Sequence, residues 1–170
     1  MADDVKTLSR LKRLVWGRNP RRTVIRGLVL VAVTFIIFRF VLLPVRISGG
    51  SMAPTYRDGR INFINRLAYE WRKPQRGDVV GVKMAGTRVL LLKRIIGLPG
   101  ETVAIEQGVV HINGQPLAEP YVKHRAPWQL TPRTLGPNEY LFIGDNRGMP
   151  QEAHEFGIGE AGKIAGKALW

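Results

Sequence analysis

The chain has 170 residues, and its 26 lysines and arginines against 13 aspartates and glutamates give a formal net charge of +13. This length suits one medium domain, or a small domain with an appendage, and excludes a large multidomain protein. The absence of cysteine excludes disulfides, thiolate metal sites and cysteine nucleophiles. The three histidines are scattered along the chain, so we predict no metal site and no cofactor; they are His111, His124 and His154.

The basic residues are concentrated at the N-terminus. Up to Arg26 the chain carries eight basic residues and two acidic ones, a net charge of +6. An apolar run follows, from about Val24 to Val45, and about 20 such residues cross a bilayer. Arg39 lies near the far end of this run, where a long side chain can reach the headgroups. Because basic residues before a first apolar segment favour the cytoplasmic side, we predict a cytoplasmic tail (1–23), an anchor in the lipid bilayer (24–45) and an extracytoplasmic domain (46–170).

The apolar segment has two other interpretations, a cleaved export signal and a buried helix of a soluble protein. A cleaved signal needs small residues at its cleavage site, and Leu42–Arg46 offers none. The stretch Pro20–Arg26 loosely resembles a twin-arginine signal, again without a cleavage site. The unbroken apolar run and its basic flank favour an anchor over a buried helix.

Beyond Val45 the sequence changes to short apolar runs separated by glycine and proline. Six of these runs have the length of strands; they are Arg60–Ile64, Asp78–Val82, Val89–Leu92, Thr102–Ile105, Val109–Ile112 and Tyr140–Ile143. Asn113-Gly114 predicts a tight hairpin. We also expect a short helix around Asn65–Arg72 and an irregular excursion from Pro116 to Pro137. The body is predicted to be a mostly β, antiparallel domain.

A serine between glycines and a proline is the first candidate for chemistry. Ser51 lies eight residues past Leu43. An extended chain covers at most about 3.3–3.6 Å per residue, so the hydroxyl is within about 30 Å of where the chain leaves the membrane. The two preceding glycines let the backbone pass close to a bound partner. An isolated Gly-Ser pair could also be a simple turn.

A lysine inside an apolar strand is the second candidate. Lys93 and Arg94 are neighbours, so their side chains point to opposite faces of a strand. Lys93 could reach solvent at a sheet edge. A lysine among leucines and isoleucines can instead be desolvated, which favours the neutral amine and lowers its pKa. A neutral lysine is a competent general base for a serine nucleophile.

The third candidate is Gly144-Asp145-Asn146-Arg147, which follows the apolar run Tyr140–Ile143. This pattern is typical of a strand end that enters a turn, with Asx side-chain hydrogen bonds and an Asp145–Arg147 ion pair. We predict a structural role for these residues, as a brace for the active site.

Together these segments resemble the type I signal peptidases. The resemblance rests on their order after the anchor, which is Ser48–Thr55, Arg76–Val80, Lys93–Glu101 and Gly144–Arg147. The ending, Ile164–Trp170, is also similar to a late core strand of that family. Any one motif is weak evidence, and four in the right order are strong.

The resemblance implies a membrane-bound serine endopeptidase that removes signal peptides from exported preproteins. Ser51 would be the nucleophile and Lys93 the general base. The expected fold is an antiparallel β core with a small β insertion at about 107–138. Supporting roles would fall to Met52, Pro54, Asp145, Asn146 and Arg147. We expect a monomer, most simply in a bacterial cytoplasmic membrane, although an organellar membrane remains open.

The oxyanion of the reaction would be held by the Ser51 amide and a second donor. Many family members carry a serine two residues before the nucleophile, but here that position is Gly49. The second donor is therefore left open between Gly49 and Ser48.

The chain departs from the family pattern after Arg147. Pro150 replaces a serine that commonly hydrogen-bonds the catalytic lysine, and Ala153 replaces another hydroxyl. Glu152 and His154 stand where the family has an Asp–Arg pair, and we expect them to form a weaker, pH-sensitive version of it. The orientation of Lys93 depends on what replaces these groups, and we predict a divergent but active peptidase.

Other functions fit parts of the pattern. A Ser–Lys peptidase could mature one dedicated substrate, such as a pilin, and a catalytically impaired relative could only bind signal peptides. Self-cleaving repressors use a similar dyad, but they carry a DNA-binding domain where this chain has an anchor. A membrane-tethered module could use the positive charge to bind lipid or nucleic acid. We predict no nucleic-acid partner, because the body lacks a dense basic run with interleaved aromatic residues.

Overall fold

The computed structural model describes residues 19–83, 90–154 and 156–169. They form two units, an N-terminal helix that ends at Val41 and a β domain that begins at Leu42. Most of the predicted basic tail, residues 1–18, lies outside the described residues.

The helical unit is apolar and fully exposed. Helix α1 spans Pro20–Ile36 and continues as one π-helical turn, Ile37–Val41. Pro20 stands in the first turn, where its missing amide hydrogen has no intrahelical partner to lose. None of its side chains is buried, and Leu30 is 67% exposed. The segment Pro20–Val41 is long and apolar enough to cross a membrane.

The first sheet of the β domain has seven antiparallel strands in the order β1-β2-β11-β3-β4-β9-β10. Its strands are β1 (Leu42–Arg46), β2 (Ile61–Asn65), β3 (Val79–Lys83), β4 (Leu90–Gly97), β9 (Glu139–Ile143), β10 (Gly157–Glu160) and β11 (Ile164–Leu169). Strand β1 lies at the sheet edge, a position that tolerates Pro44 because an edge strand can dispense with one amide donor.

The second sheet is smaller and is inserted between β4 and β9. It has four antiparallel strands in the order β7-β6-β5-β8. They are β5 (Thr102–Glu106), β6 (Val109–Ile112), β7 (Gln115–Pro116) and β8 (Leu130–Thr134). Two 3-10 turns, Gln151–Ala153 and Ala161–Lys163, flank β10.

One buried cluster joins the two sheets. Ile96 of β4 and Leu141 of β9 pack in it with Val103 and Ile105 of β5, and with Trp128 from the insertion. A Cβ built on Gly97 would lie only 2.7 Å from Val103, so glycine is required where the sheets meet. The insertion is therefore fixed to the part of the large sheet that leads into Gly144–Arg147.

The predicted β architecture is confirmed, and most predicted strands are found within one or two residues of their bounds. The Asn113-Gly114 hairpin is also confirmed, with φ of 51° and 79° at the two residues. Val89, the first residue of one predicted run, lies outside the described residues. The predicted excursion from 116 to 137 contains one strand, β8.

Two expectations about local structure were wrong. The stretch predicted as a short helix forms turns after Asn65, whose side-chain oxygen accepts a hydrogen bond from the Leu67 amide at 3.0 Å. The helix that matches the anchor ends at Val41, and the last four residues of the predicted span, 42–45, belong to β1. The reason is their pairing with β2, in which Leu42 lies opposite Asn65.

Candidate functional site

Ser51 lies in a turn between β1 and β2, and the next residue fixes the turn to the core. Met52 is 1% exposed and packs with Ile47, Tyr56 and Ile64. The Tyr56 amide donates to the Met52 carbonyl at 2.9 Å. Pro54 follows a cis peptide bond from Ala53. Ser51 itself is half-buried at the surface of this packed turn.

The segment after β9 holds the Ser51 turn through three hydrogen bonds. The Asn146 amide donates to the Ser51 carbonyl at 3.0 Å. The Asn146 side chain donates to the Gly50 carbonyl, also at 3.0 Å. The Thr55 hydroxyl donates to Asp145 Oδ2 at 2.6 Å. Residues ninety or more positions apart in the chain therefore meet around Ser51.

Asp145 forms its ion pair with Arg94, and the expected pair with Arg147 was wrong. Arg94 Nε donates to Asp145 Oδ1 at 2.8 Å, and the Arg94 guanidinium stacks 4.1 Å from the Tyr121 ring centroid. Burial alone would lower the pKa of Arg94, but the hydrogen bond and charge of Asp145 raise it. The pair ties β4 to the segment beside Ser51.

Arg147 points into the core and pairs with Glu119 of the insertion. Both side chains are buried, with Arg147 Nη1 3.2 Å from Glu119 Oε2. Arg147 Nε also donates to the Gly144 carbonyl at 3.0 Å, and Tyr121 donates to Glu119 at 2.9 Å. The reason that Arg147 does not reach Asp145 is this buried carboxylate, which the insertion supplies.

Lys93 is buried in the middle of β4. It is 2% exposed and lies opposite Val80 of β3. Burial disfavours a charged amine and favours its neutral form. In its charged form Lys93 lowers the pKa of His154, so the two side chains lie within electrostatic range of each other.

His154 is buried between Ser51 and the insertion. Its ring lies edge-on to Trp128, 4.7 Å between centroids, and it is 3% exposed. A Cβ built on Gly144 would lie 2.2 Å from the Ser51 carbonyl oxygen and 2.6 Å from His154 Nε2. Only glycine fits there, and its absence of a side chain lets the imidazole approach the Ser51 backbone.

The environment of His154 keeps the imidazole neutral. Burial first, and then the charges of Lys93 and Arg147, lower the pKa of His154 to about 4, although the nearby Ser51 carbonyl favours a proton. The expected pair with Glu152 was wrong, since neither ring nitrogen has a hydrogen-bond partner in the part of the chain that the structure describes. The reason is the 3-10 turn Gln151–Ala153, which leaves Glu152 exposed and directs His154 inward.

This shift predicts a loss of stability in acid. The pKa of His154 is about 4 in the folded protein, against an ordinary value of 6.5. Between pH 6.5 and pH 4 the imidazole is protonated in the unfolded chain but neutral in the folded protein. The free energy of unfolding therefore falls as the pH falls through this range. Below pH 4 the free energy of unfolding is lower by about 3 kcal/mol because of this group. Above pH 6.5 the ring causes no pH dependence of the free energy of unfolding. We expect urea unfolding of His154→Leu to show a flatter decline from pH 7 to 4; an unchanged slope would contradict the shift.

A groove of about 600 Å³ opens beside Ser51. Ser48, Gly49 and Met52 line it, together with β1 from Leu43 to Arg46 and β4 from Leu90 to Leu92. Among the described strands, β1 pairs only with β2, and β9 pairs with β4 only from Arg94 onward. Two strand edges therefore face an apolar groove that ends at the Ser51 turn.

The two candidates for the second oxyanion donor differ in their environment. The Gly49 amide donates to Asp58 Oδ1 at 3.0 Å, with Gly49 at φ 92°. That hydrogen bond engages the Gly49 amide. Ser48 and Gly49 both line the groove.

Sequence reasoning missed Glu119 and the inward position of His154. Glu119 is the only acidic residue from 107 to 138, and it stands between apolar neighbours and a proline. A single acid in such a basic stretch indicates a buried partner for an arginine.

The residues that we singled out as departures, Pro150 and Ala153, are exposed. Among the described residues, no three His, Asp or Glu side chains lie together as a metal site requires.

Comparison with known proteins identifies the family. Residues 21–170 match the family described as signal peptidase, peptidase S26. The chain is 33% identical over 129 residues to a protein named probable signal peptidase I-2 from Synechocystis sp., covering 72% of this chain and 59% of that one. It is also 33% identical to a signal peptidase I from Leptolyngbya laminosa, over 70% of this chain and 63% of that one.

Other relatives are covered more completely. A signal peptidase IB from Staphylococcus aureus is 30% identical over 153 residues, 79% of this chain and 80% of that one. A solved structure of a signal peptidase I from Enterococcus faecalis aligns with 56% of this chain and 97% of that chain, at 28% identity and a TM-score of 0.46. The chain spans about 60% of the length of the two cyanobacterial relatives. The match over residues 21–170 shows that the chain belongs to the signal peptidase family, peptidase S26.

Proposed function

We propose that this protein is a membrane-anchored serine endopeptidase that removes signal peptides from exported preproteins. The observation that carries the proposal is the position of Ser51, which lies at the end of an apolar groove and is braced by Asn146, within a chain of this family. In the proposal Ser51 is the nucleophile and Lys93 is the general base. Both lie next to one buried histidine, His154.

The chemistry follows from the burial of Lys93. Its neutral amine takes the proton from Ser51 Oγ as that oxygen attacks the scissile carbonyl carbon. The resulting ammonium gives the proton to the nitrogen of the leaving chain, which departs and leaves an acyl group on Ser51. A water then loses its proton to Lys93 and attacks the acyl carbon. The bond from that carbon to Ser51 Oγ breaks, the Lys93 ammonium returns its proton to Ser51 Oγ, and the signal peptide leaves with a free C-terminal carboxyl group.

The oxyanion forms in both steps and needs fixed donors. We assign these to the Ser51 amide and the Ser48 hydroxyl, since Asp58 engages the Gly49 amide. The three hydrogen bonds from Asp145 and Asn146 keep the turn rigid, so the donors need no reorganisation during the reaction.

The substrate would bind as an extended segment in the groove. Its backbone would pair with the open edge of β1 or of β4 at Leu90–Leu92, as in other cases of strand addition. The apolar lining would accept side chains on one face of that segment, and we expect small residues next to the scissile bond.

The membrane arrangement is also a proposal. The helix Pro20–Val41 anchors the protein in the bilayer, with the basic residues 1–23 on the cytoplasmic side. The β domain then acts as a monomer on the extracytoplasmic side of a bacterial cytoplasmic membrane. An anchored enzyme meets substrates whose own apolar segments are still in the membrane.

Cleavage of a defined preprotein tests the proposal. The full chain, reconstituted in lipid vesicles, is incubated with a preprotein that carries an Ala-x-Ala site, and the products are measured by mass spectrometry. We expect one cut after the second alanine, and a rate at least about tenfold lower when that alanine is replaced by leucine. If folded enzyme at equimolar concentration leaves the preprotein intact, the proposed function is wrong.

A further inference from the structure

The region around Ser51 contains a buried base that the reaction above does not use. His154 is 3% exposed, and among the described residues neither of its ring nitrogens has a hydrogen-bond partner. Buried polar atoms without partners are rare because each one costs free energy. Such atoms inside a site are typical of groups that find their partner during function.

Packing holds the ring in one place. The Trp128 ring contacts it edge-on at 4.7 Å between centroids, and the Phe156 ring lies 5.2 Å from Trp128 and 6.3 Å from His154. Because Gly144 has no side chain, His154 Nε2 and the Ser51 carbonyl oxygen both lie where a Cβ atom of residue 144 would otherwise be. The imidazole is therefore aimed at the nucleophile turn and is prevented from rotating to the surface.

The charges around the ring come from two elements. Lys93 acts on it from β4 and Arg147 acts on it from the segment after β9, where Arg147 is itself paired with Glu119. Glu152, on the same turn as His154, is exposed. Burial is the largest of the causes that lower the pKa of His154, so the ring stays neutral at physiological pH, with one nitrogen that donates and one that accepts.

We propose that His154 is a positioning residue for Lys93, which accepts a hydrogen bond from the lysine amine through one ring nitrogen while the other nitrogen donates to the Ser51 carbonyl. This inference rests on the proposed function, because it gives His154 a role in the Ser51–Lys93 reaction. The proposed arrangement gives each ring nitrogen of His154 a hydrogen-bond partner, the Lys93 amine for one and the Ser51 carbonyl for the other.

The proposed contact has a consequence for catalysis. The Lys93 amine becomes an ammonium when it takes the Ser51 proton, and an ammonium is a stronger hydrogen-bond donor than an amine. A neutral imidazole acceptor therefore stabilises the lysine most after proton transfer. Its link to the Ser51 carbonyl also keeps the amine aligned with the nucleophile turn.

Replacement of His154 gives the kinetic test. We expect His154→Leu to lower kcat for preprotein cleavage by about 10- to 100-fold with little change in KM, as expected for the loss of one hydrogen bond to a charged group. The acid limb of the pH–rate profile should move to lower pH, because the ammonium loses an acceptor. His154→Asn, which retains one donor and one acceptor, should recover part of the rate. The control is His124→Leu, an exposed histidine that should leave kcat unchanged.

Two kinetic results would overturn the inference. Unchanged kcat and pH profile in His154→Leu would show that the ring only fills space. A loss as complete as that from removal of Lys93 would show that the imidazole itself transfers the proton and is not a positioning residue.

A measurement without substrate separates this inference from the proposed function. The ring nitrogens of His154 are observed by NMR in ¹⁵N-histidine-labelled full-length protein in detergent, before and after Lys93→Met. We expect the resonance of the unprotonated nitrogen to move toward the position of a free acceptor, and no such change in Lys123→Met, an exposed control. A resonance that does not respond to Lys93→Met would overturn the contact even in an active enzyme, and a clear response would support it even if no preprotein is cut.

Discussion

Lys93→Met is expected to lower the rate of preprotein cleavage by at least about 10³-fold, the upper range for loss of a positioned general base. Methionine has nearly the same length as lysine and cannot accept the Ser51 proton. Lys93 is 2% exposed in β4, where Ile95 and Ile96 are also buried, so an apolar side chain suits its position. We therefore expect the variant to fold and to lose activity alone. The rate is measured by single turnover with enzyme in excess.

The control for this experiment is Lys123→Met, which removes the same charge at an exposed position in the insertion. We expect its rate to remain within about twofold of the wild type, since exposed substitutions away from the site change little. The two variants should have similar midpoints in urea. A Lys93→Met rate within tenfold of the wild type would mean that another group is the base.

The second large effect is on stability. Arg147→Met is expected to lower the free energy of unfolding by about 3 kcal/mol or more, because it leaves the buried Glu119 carboxylate without its main partner. Arg125 is 3.9 Å from that carboxylate and is partly exposed, so it compensates only in part. Urea unfolding followed by the fluorescence of the buried Trp128, which Arg147 adjoins, measures the change.

A matched variant exists on the surface. Arg133 pairs with Glu139 at 3.0 Å, but its side chain is 54% exposed, so Arg133→Met should cost about 0–1 kcal/mol. The double variant Glu119→Leu with Arg147→Met should recover part of the loss, because no buried charge then lacks a partner. If Arg147→Met and Arg133→Met lower the free energy of unfolding by equal amounts, burial does not determine the contribution of the Arg147–Glu119 pair.

The strands and the order of the motifs were predictable from local pattern. Asn113-Gly114 defines a hairpin within four residues, and apolar runs such as Tyr140–Ile143 are bounded by turn residues. The β1 strand was missed because Leu42–Arg46 continues the apolar run of the helix, and only pairing with β2 separates the two. Composition alone does not distinguish an apolar edge strand from the end of an anchor.

The ion pairs of the site were not predictable in the same way. Asp145 and Arg147 are two residues apart, and the sequence suggested that they pair. Their true partners, Arg94 and Glu119, are 51 and 28 residues away and are selected by the packing of the insertion on the large sheet. The same packing turns His154 inward, and no local pattern signals it.

The role of Ser51 as the nucleophile is tested most directly by a comparison of wild type with Ser51→Ala on one preprotein in the same vesicles, with product masses measured over time. We expect the wild type to release a product cut after the Ala-x-Ala site, and Ser51→Ala, equally folded, to leave the preprotein intact. Cleavage at the same site and rate by Ser51→Ala would contradict it, because the groove would then serve a different nucleophile.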